Sequence, residues 1–159
     1  IRELLYLLLV EAGYTVHKIA DTQADISLGA RVREVNSYCD MYGAKNCLFI
    51  SIHSNGFSKE SAHGWSVYTT VGETKSDAYA TELYKQAELM WPEENFRKDT
   101  KDGDPDKESN FYVIKKTKCP AILSENFFMT NERECKKFLL SETGRIEIAE
   151  VHFNMIENS

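Results

Sequence analysis

The apolar positions of this 159-residue chain fall into two kinds of block, and their order predicts the fold. One kind recurs at three- and four-residue spacing, the period of an amphipathic helix. It comprises Leu28, Val32, Val35, Cys39 and Tyr42, then Ala80, Leu83, Ala87 and Met90, then Ile146, Ala149, Phe153 and Ile156. Residues 4–10 form a further helix that is apolar on nearly every side, and Gly13 is placed to cap its C-terminus. The other kind is a short, almost uninterrupted apolar run between turn residues, which reads as a buried strand. Such runs occupy residues 14–19, 47–53, 64–70, 111–114 and 121–125. Ser27 can cap the second helix, Pro92 closes the third, and another helix begins near Asn131. Helices alternating with short, uniformly apolar strands predict one α/β domain over residues 1–159, with a mostly parallel central sheet and helices on both faces.

Residues 93–109 break the pattern, being almost entirely charged or polar. Their Asp102-Gly-Asp-Pro-Asp106 segment lacks the alternating ligands and closing glutamate of an EF-hand and reads as a solvated surface loop.

Two strand runs end in chemistry. Residues 47–53 finish on His53, followed by Ser54-Asn55, and residues 121–125 finish on Glu125, followed by Asn126-Phe127-Phe128. In α/β folds functional groups gather at the carboxyl ends of strands, so these two side chains are predicted to share one crevice. Neutral imidazole is the commonest metal ligand, and a carboxyl set among apolar residues has its pKa raised toward the range useful for a general base. Taken singly, each residue also has a structural reading: a satisfied strand-end histidine and an ion-paired glutamate. His63 reads as a surface-loop residue, and His17 and His152 as structural. No nucleophile elbow, phosphate-binding loop or paired-histidine zinc helix occurs, which removes the commonest serine-hydrolase, nucleotide and zincin readings.

A formal net charge of −6 disfavours nonspecific attraction to nucleic acid. The four cysteines form no close pair and read as free thiols. The apolar run at the start of the chain is too short to cross a bilayer. It reads as a core helix whose beginning is missing.

Ser51-Ile-His-Ser-Asn55, Gly64-Trp-Ser-Val-Tyr68 and Leu123-Ser-Glu-Asn-Phe-Phe-Met-Thr-Asn131 together resemble the zinc-dependent N-acetylmuramoyl-L-alanine amidases. Residues 27–36 are similar to that family's arginine- and asparagine-bearing helix. The likeness runs over the whole chain and is nearest to the compact amidases of Bacteroides-type bacteria and their prophages, which share stretches like residues 102–106 and 110–112. The resemblance implies an amidase or zinc-exopeptidase-like fold and hydrolysis of the amide between N-acetylmuramic acid and L-alanine of the stem peptide. It implies Glu125 as the catalytic residue and His53 as a ligand of one Zn2+ ion. Two further ligands are expected upstream of Ile1, so the domain is expected to lack its first strand and the start of its first helix. Asn55 and Asn126 are candidates for orienting substrate.

The implied partner is peptidoglycan or its muropeptides, met in the periplasm or cell envelope, or by a phage-encoded enzyme acting on the wall. A monomer is expected, with neither nucleic acid nor membrane insertion. Two other readings stay open. One is a zinc carboxypeptidase-like enzyme that grips a terminal carboxylate with Arg31, Arg33 or Arg97. The other is a noncatalytic wall-binding domain that has lost its zinc.

Overall fold

The computed structural model describes residues 1–101 and 103–159. Its elements are α1 (Arg2–Glu11), α2 (Leu28–Tyr42), β1 (Phe49–Asn55), β2 (Ser66–Thr69), α3 (Ser76–Met90), β3 (Lys107–Glu108), α4 (Tyr112–Lys115), β4 (Ala121–Phe128), α5 (Glu132–Glu134) and α6 (Glu142–Glu157). A π-helical turn, Cys135–Leu140, joins the last two. The chain is one α/β domain whose sheet runs β1-β4-β2-β3. Strands β1 and β4 are parallel, as are β2 and β3, while β2 meets β4 antiparallel, so the sheet is mixed. Residues 56–65 contain no helix to carry the chain back across the sheet, so β2 returns in the opposite sense to β1.

Alternation along β1 and β4 sorts the helices onto two faces. Ile50 and Ile122 pack with α3 and α6 around Leu83, Phe138, Ile148 and Met155, and Ile52 packs with α1 through Leu5 and Leu9. On the other side Phe49, Ala121 and Leu123 meet Val32 of α2 and Val113 and Ile114 of α4. Each fully buried Leu, Ile or Phe contributes about 1.5–3 kcal/mol of transfer free energy. Gly13, with φ +92, ends α1: its N–H reaches Val10 O and that of Tyr14 reaches Leu9 O, the paired bonds of a Schellman cap.

Two predicted strands are absent. Residues 14–19 run as irregular chain across the helices, because His17 stacks on Tyr38 of α2 at 3.8 Å between ring centroids and Val16 joins the α1–α6 cluster. Residues 111–114 form one helical turn instead. Val113 and Ile114 are both buried while Phe111 and Tyr112 face solvent, a two-and-two pattern that a strand's alternation does not permit. The four cysteines stand unpaired, three of them (Cys39, Cys47 and Cys119) in one cluster under α2.

Candidate active site

His53 and Glu125 occupy one rung of the parallel β1–β4 pair. Paired residues on adjacent strands lie about 4.8 Å apart and point to the same face. Ser66 of β2 lies opposite Glu125 on its other side, so three polar residues stand in a row across the sheet. All three project on the α2–α4 side, one step beyond the rung of Ser51, Leu123 and Tyr68.

Each of the three has an unsettled polar atom or a shifted pKa. Glu125 is partly buried, and its Oε2 has no hydrogen-bond partner among the described residues. Burial alone pushes its carboxyl up to about 7. Ser66 is 1% exposed and its Oγ is likewise unpartnered. The His53 side chain is exposed, its Nε2 2.9 Å from Ser51 Oγ. Desolvation of its inner edge, and then the positive charge of Arg31 on α2, hold its pKa below the ordinary imidazole value. The imidazole is therefore neutral at physiological pH, the form that coordinates metals.

A bulge shapes the end of this row. Pairing shifts between His53 and Asn55, where Asn55 meets Phe128 instead of Phe127, and Phe127 has φ +63. A left-handed phenylalanine costs of order 1–3 kcal/mol. The cost is offset because the bulge turns Phe127 away from the crevice and into the core. There it stacks on Phe138 with centroids 3.7 Å apart and meets Trp91 edge-on at 5.0 Å. In unbroken alternation Phe127 would stand beside Glu125 and fill the site.

Behind the row lies a closed polar layer. Trp65 Nε1 donates to Asn126 Oδ1 (2.8 Å), and Asn126 Nδ2 reaches both His53 O (3.0 Å) and Ser124 Oγ (2.9 Å). Ser124 Oγ meets His152 Nε2 at 2.8 Å, and His152 Nδ1 lies 2.7 Å from Ile148 O. Fully buried Glu134 accepts the Gly64 N–H at 2.7 Å and the Phe128 N–H at 2.9 Å, tying the entry of β2 to the exit of β4. Gly64 has φ +110, and a Cβ there would come within 2.8 Å of Asn95 O.

The structure thus brings His53 and Glu125 together and separates Asn126 from them. Expected at the substrate, Asn126 is 0% exposed with its amide fully engaged inside the protein, so it cannot touch one. Asn55 ends β1 and uses Oδ1 to accept the Gly56 N–H. His63 is exposed beside Ser61 O, and His17 and His152 are packing residues. Arg31 is anchored by Nε to Ile26 O, Arg33 is exposed, and Arg97 lies over the Phe128 ring.

Of the acidic loop, Asp102 lies outside the described residues. Asp106 is 2% exposed rather than solvated, hydrogen-bonded by Thr69 Oγ1 at 2.6 Å, with its carboxyl pushed up to about 7 by burial. Sequence reasoning missed Ser66, Ser124, Glu134 and the support role of Trp65. The Gly-Trp-Ser-Val-Tyr alternation was the available signal for Ser66, since it sends Trp65 and Val67 to one face and Ser66 and Tyr68 to the other.

A catalytic zinc takes about three protein ligands and leaves one position open. Among the described residues no group of three histidine, cysteine or acidic side chains is placed to hold a metal. The crevice offers one imidazole and one carboxylate, so these residues alone do not make up that donor set.

Comparison with known proteins returns the same kind of α/β scaffold. The family model described as N-acetylmuramoyl-L-alanine amidase matches residues 1–158, and the chain belongs to that family. It is therefore a peptidoglycan hydrolase of the amidase class, which replaces the carboxypeptidase-like and noncatalytic readings. Among solved structures, the catalytic domain of the amidase CwlV from Bacillus (Paenibacillus) polymyxa var. colistinus is similar with a TM-score of 0.80 at 21% identity, covering 98% of this chain and 78% of that one. The amidase AmiC2 of Nostoc punctiforme gives 0.78 at 21% identity, with 98% and 78% covered. The catalytic domain of the CD27L endolysin targeting Clostridia difficile gives 0.72 at 21%, with 99% and 81% covered. At these identities the likeness speaks for the fold. No curated protein sequence matches the chain.

Proposed function

We propose that Glu125 is the proton-transfer residue of this amidase and that His53 is one ligand of a zinc ion in the same crevice. The observation that carries the reading is the shared rung, on which Glu125 presents an unpartnered, desolvated carboxyl oxygen beside a neutral imidazole. In the reaction a water oxygen bonds to the lactyl carbonyl carbon, the carbon–nitrogen bond to L-alanine breaks, and a proton of the water ends on the leaving amine. Glu125, with a pKa near neutrality, takes that proton and returns it to nitrogen. Zinc, when bound, supplies Lewis-acid polarisation of the carbonyl. His53 is the residue here that would hold it, its ring bonded among the described residues only through Nε2 to Ser51 Oγ. Asn55, at the rim of β1, is the remaining candidate for orienting substrate.

We place the enzyme in the periplasm or cell envelope, because its substrate is the wall. Among the described residues no helix is long and apolar enough to cross a membrane. The test is Glu125→Gln in the intact protein purified with zinc. Turnover of muropeptides should fall by ~10²–10⁴-fold, the usual contribution of a positioned acid–base group, with zinc content unchanged. Turnover near the wild-type rate would remove Glu125 from the reaction.

A further inference from the structure

We propose that Asn126 is a positioning residue for catalysis: its side-chain amide, held by Trp65, clamps the main chain of His53 to β4 and so sets the geometry of the His53–Glu125 pair. The inference rests on the assignment of that pair as the active site.

Burying polar side chains between α6 and the sheet is costly unless every group is satisfied, and apolar residues would fill the same space more cheaply. Here the groups are satisfied in one consistent direction. His152 Nδ1 faces the Ile148 carbonyl and must carry the proton, which leaves Nε2 an acceptor. Ser124 therefore donates its hydroxyl hydrogen to His152, and its oxygen is left to accept from Asn126 Nδ2. The second Nδ2 hydrogen goes to His53 O, and Asn126 Oδ1 accepts the indole N–H. A flipped amide would set its NH2 against the indole N–H, so Trp65 selects the orientation in which Asn126 donates to His53.

The position of this bond is what makes it functional. It meets the carbonyl of the residue that faces Glu125, and β1–β4 pairing loses its register immediately afterwards. Main-chain pairing resumes at Asn55 and Phe128, with Met129 N–H donating to Asn55 O at 2.8 Å. Across the bulge before them the side-chain clamp ties β1 to β4. Reacting groups displaced by about 1 Å cost on the order of 10²-fold in rate. Behind Asn126 the Ser124 side chain meets His152 of α6, and among the described residues neither side chain bonds to His53.

The test compares kcat, KM and thermal midpoint for Asn126→Leu, Trp65→Phe, their double variant and His152→Leu, with Glu125→Gln alongside. Asn126→Leu is expected to lower kcat by ~10–100-fold with KM changed less than about threefold. Trp65→Phe keeps the bond to His53 but frees the amide to turn. It should lower kcat a few-fold in the same way, which keeps the inference testable if Asn126→Leu folds poorly. The double variant should be no slower than Asn126→Leu, because Trp65 acts through Asn126. His152→Leu should lower the thermal midpoint as much as Asn126→Leu or more while leaving kcat within about threefold. Wild-type kcat in Asn126→Leu, multiplying losses in the double variant, or kcat losses that merely follow the thermal midpoint across all variants would overturn the role. Full turnover in Glu125→Gln would instead sink the active-site assignment beneath it.

Discussion

Strand β4 carries Glu125 on one face and Ser124 and Asn126 on the other, and the two faces treat polar atoms in opposite ways. On the crevice side Glu125 Oε2 and Ser66 Oγ have no partner among the described residues, and His53 holds only a neighbouring serine. On the α6 side the Trp65, Asn126, Ser124 and His152 side chains are joined by bonds of 2.7–3.0 Å. An unsatisfied buried polar atom costs about 1–3 kcal/mol, so a protein selected for stability alone would not leave two side by side. The unpartnered groups are the ones the proposed reaction uses, and on the closed face only Asn126 reaches back to His53.

Substitutions on the two faces should differ in what they change. Glu125→Gln should have the largest effect, and it should fall on turnover alone. Removing an unpartnered carboxyl leaves no group orphaned, so the denaturation midpoint should hold or rise. Loss of stability would show that Glu125 has a structural partner after all. His53→Ala should bring zinc content well below stoichiometric by elemental analysis, and unchanged metal content would exclude the ligand role.

On the closed side Glu134→Ala strands two buried N–H donors and should cost about 2–5 kcal/mol by urea denaturation. His152→Ala should cost about 2–4 kcal/mol through cavity formation and lost bonding. Ser66→Ala should have the smallest effect, neutral or stabilising by less than about 1 kcal/mol, since its hydroxyl has no partner to lose. A marked destabilisation there would mean that the row is not open.

Two buried groups also give opposite pH dependences. Burial lowers the His152 pKa to about 4, so between pH ~6.5 and ~4 the unfolded chain takes up a proton that the folded one refuses. Its contribution is present above that window and is lost as pH falls through it. Asp106 is raised to about 7, so the folded chain retains a proton that the unfolded chain has released. Its contribution is present at low pH and is lost as pH rises toward about 7. Asp106→Asn should reduce the second slope to the part due to Glu125, whose carboxyl is also pushed up to about 7, and leave the first, which denaturation midpoints between pH 4.5 and 8 would check.

Much of this was legible in the chain. The helical stripes of α2, α3 and α6 were found from periodicity, because each buries one consistent face, and the apolar cores of β1, β2 and β4 from short unbroken apolar runs, because helices cover both faces of the sheet. Residues 14–19 and 111–114 misled for a shared reason. A short β-branched or aromatic run carries no period long enough to separate a strand from a helical turn or irregular chain, and tertiary contacts decided both. Asn126 was misplaced because a polar residue next to a catalytic one looks like a substrate contact, whereas the neighbour of an outward residue on a strand points inward.

What the amino-acid order determined by itself was the sheet–helix layering, the presence of His53 and Glu125 on two buried strands (which run on to Asn55 and Phe128 rather than ending at these residues), and the desolvation of the glutamate by its apolar neighbours. Those follow from local periodicity and hydrophobicity. Only the tertiary structure decided that the two residues share a rung, that Phe127 bulges away from them, that Ser66 completes the row, and that Asp106 is buried. Each of these depends on strand register or on the packing of segments distant in sequence, and pairing between strands is selected by the whole core rather than by either strand alone.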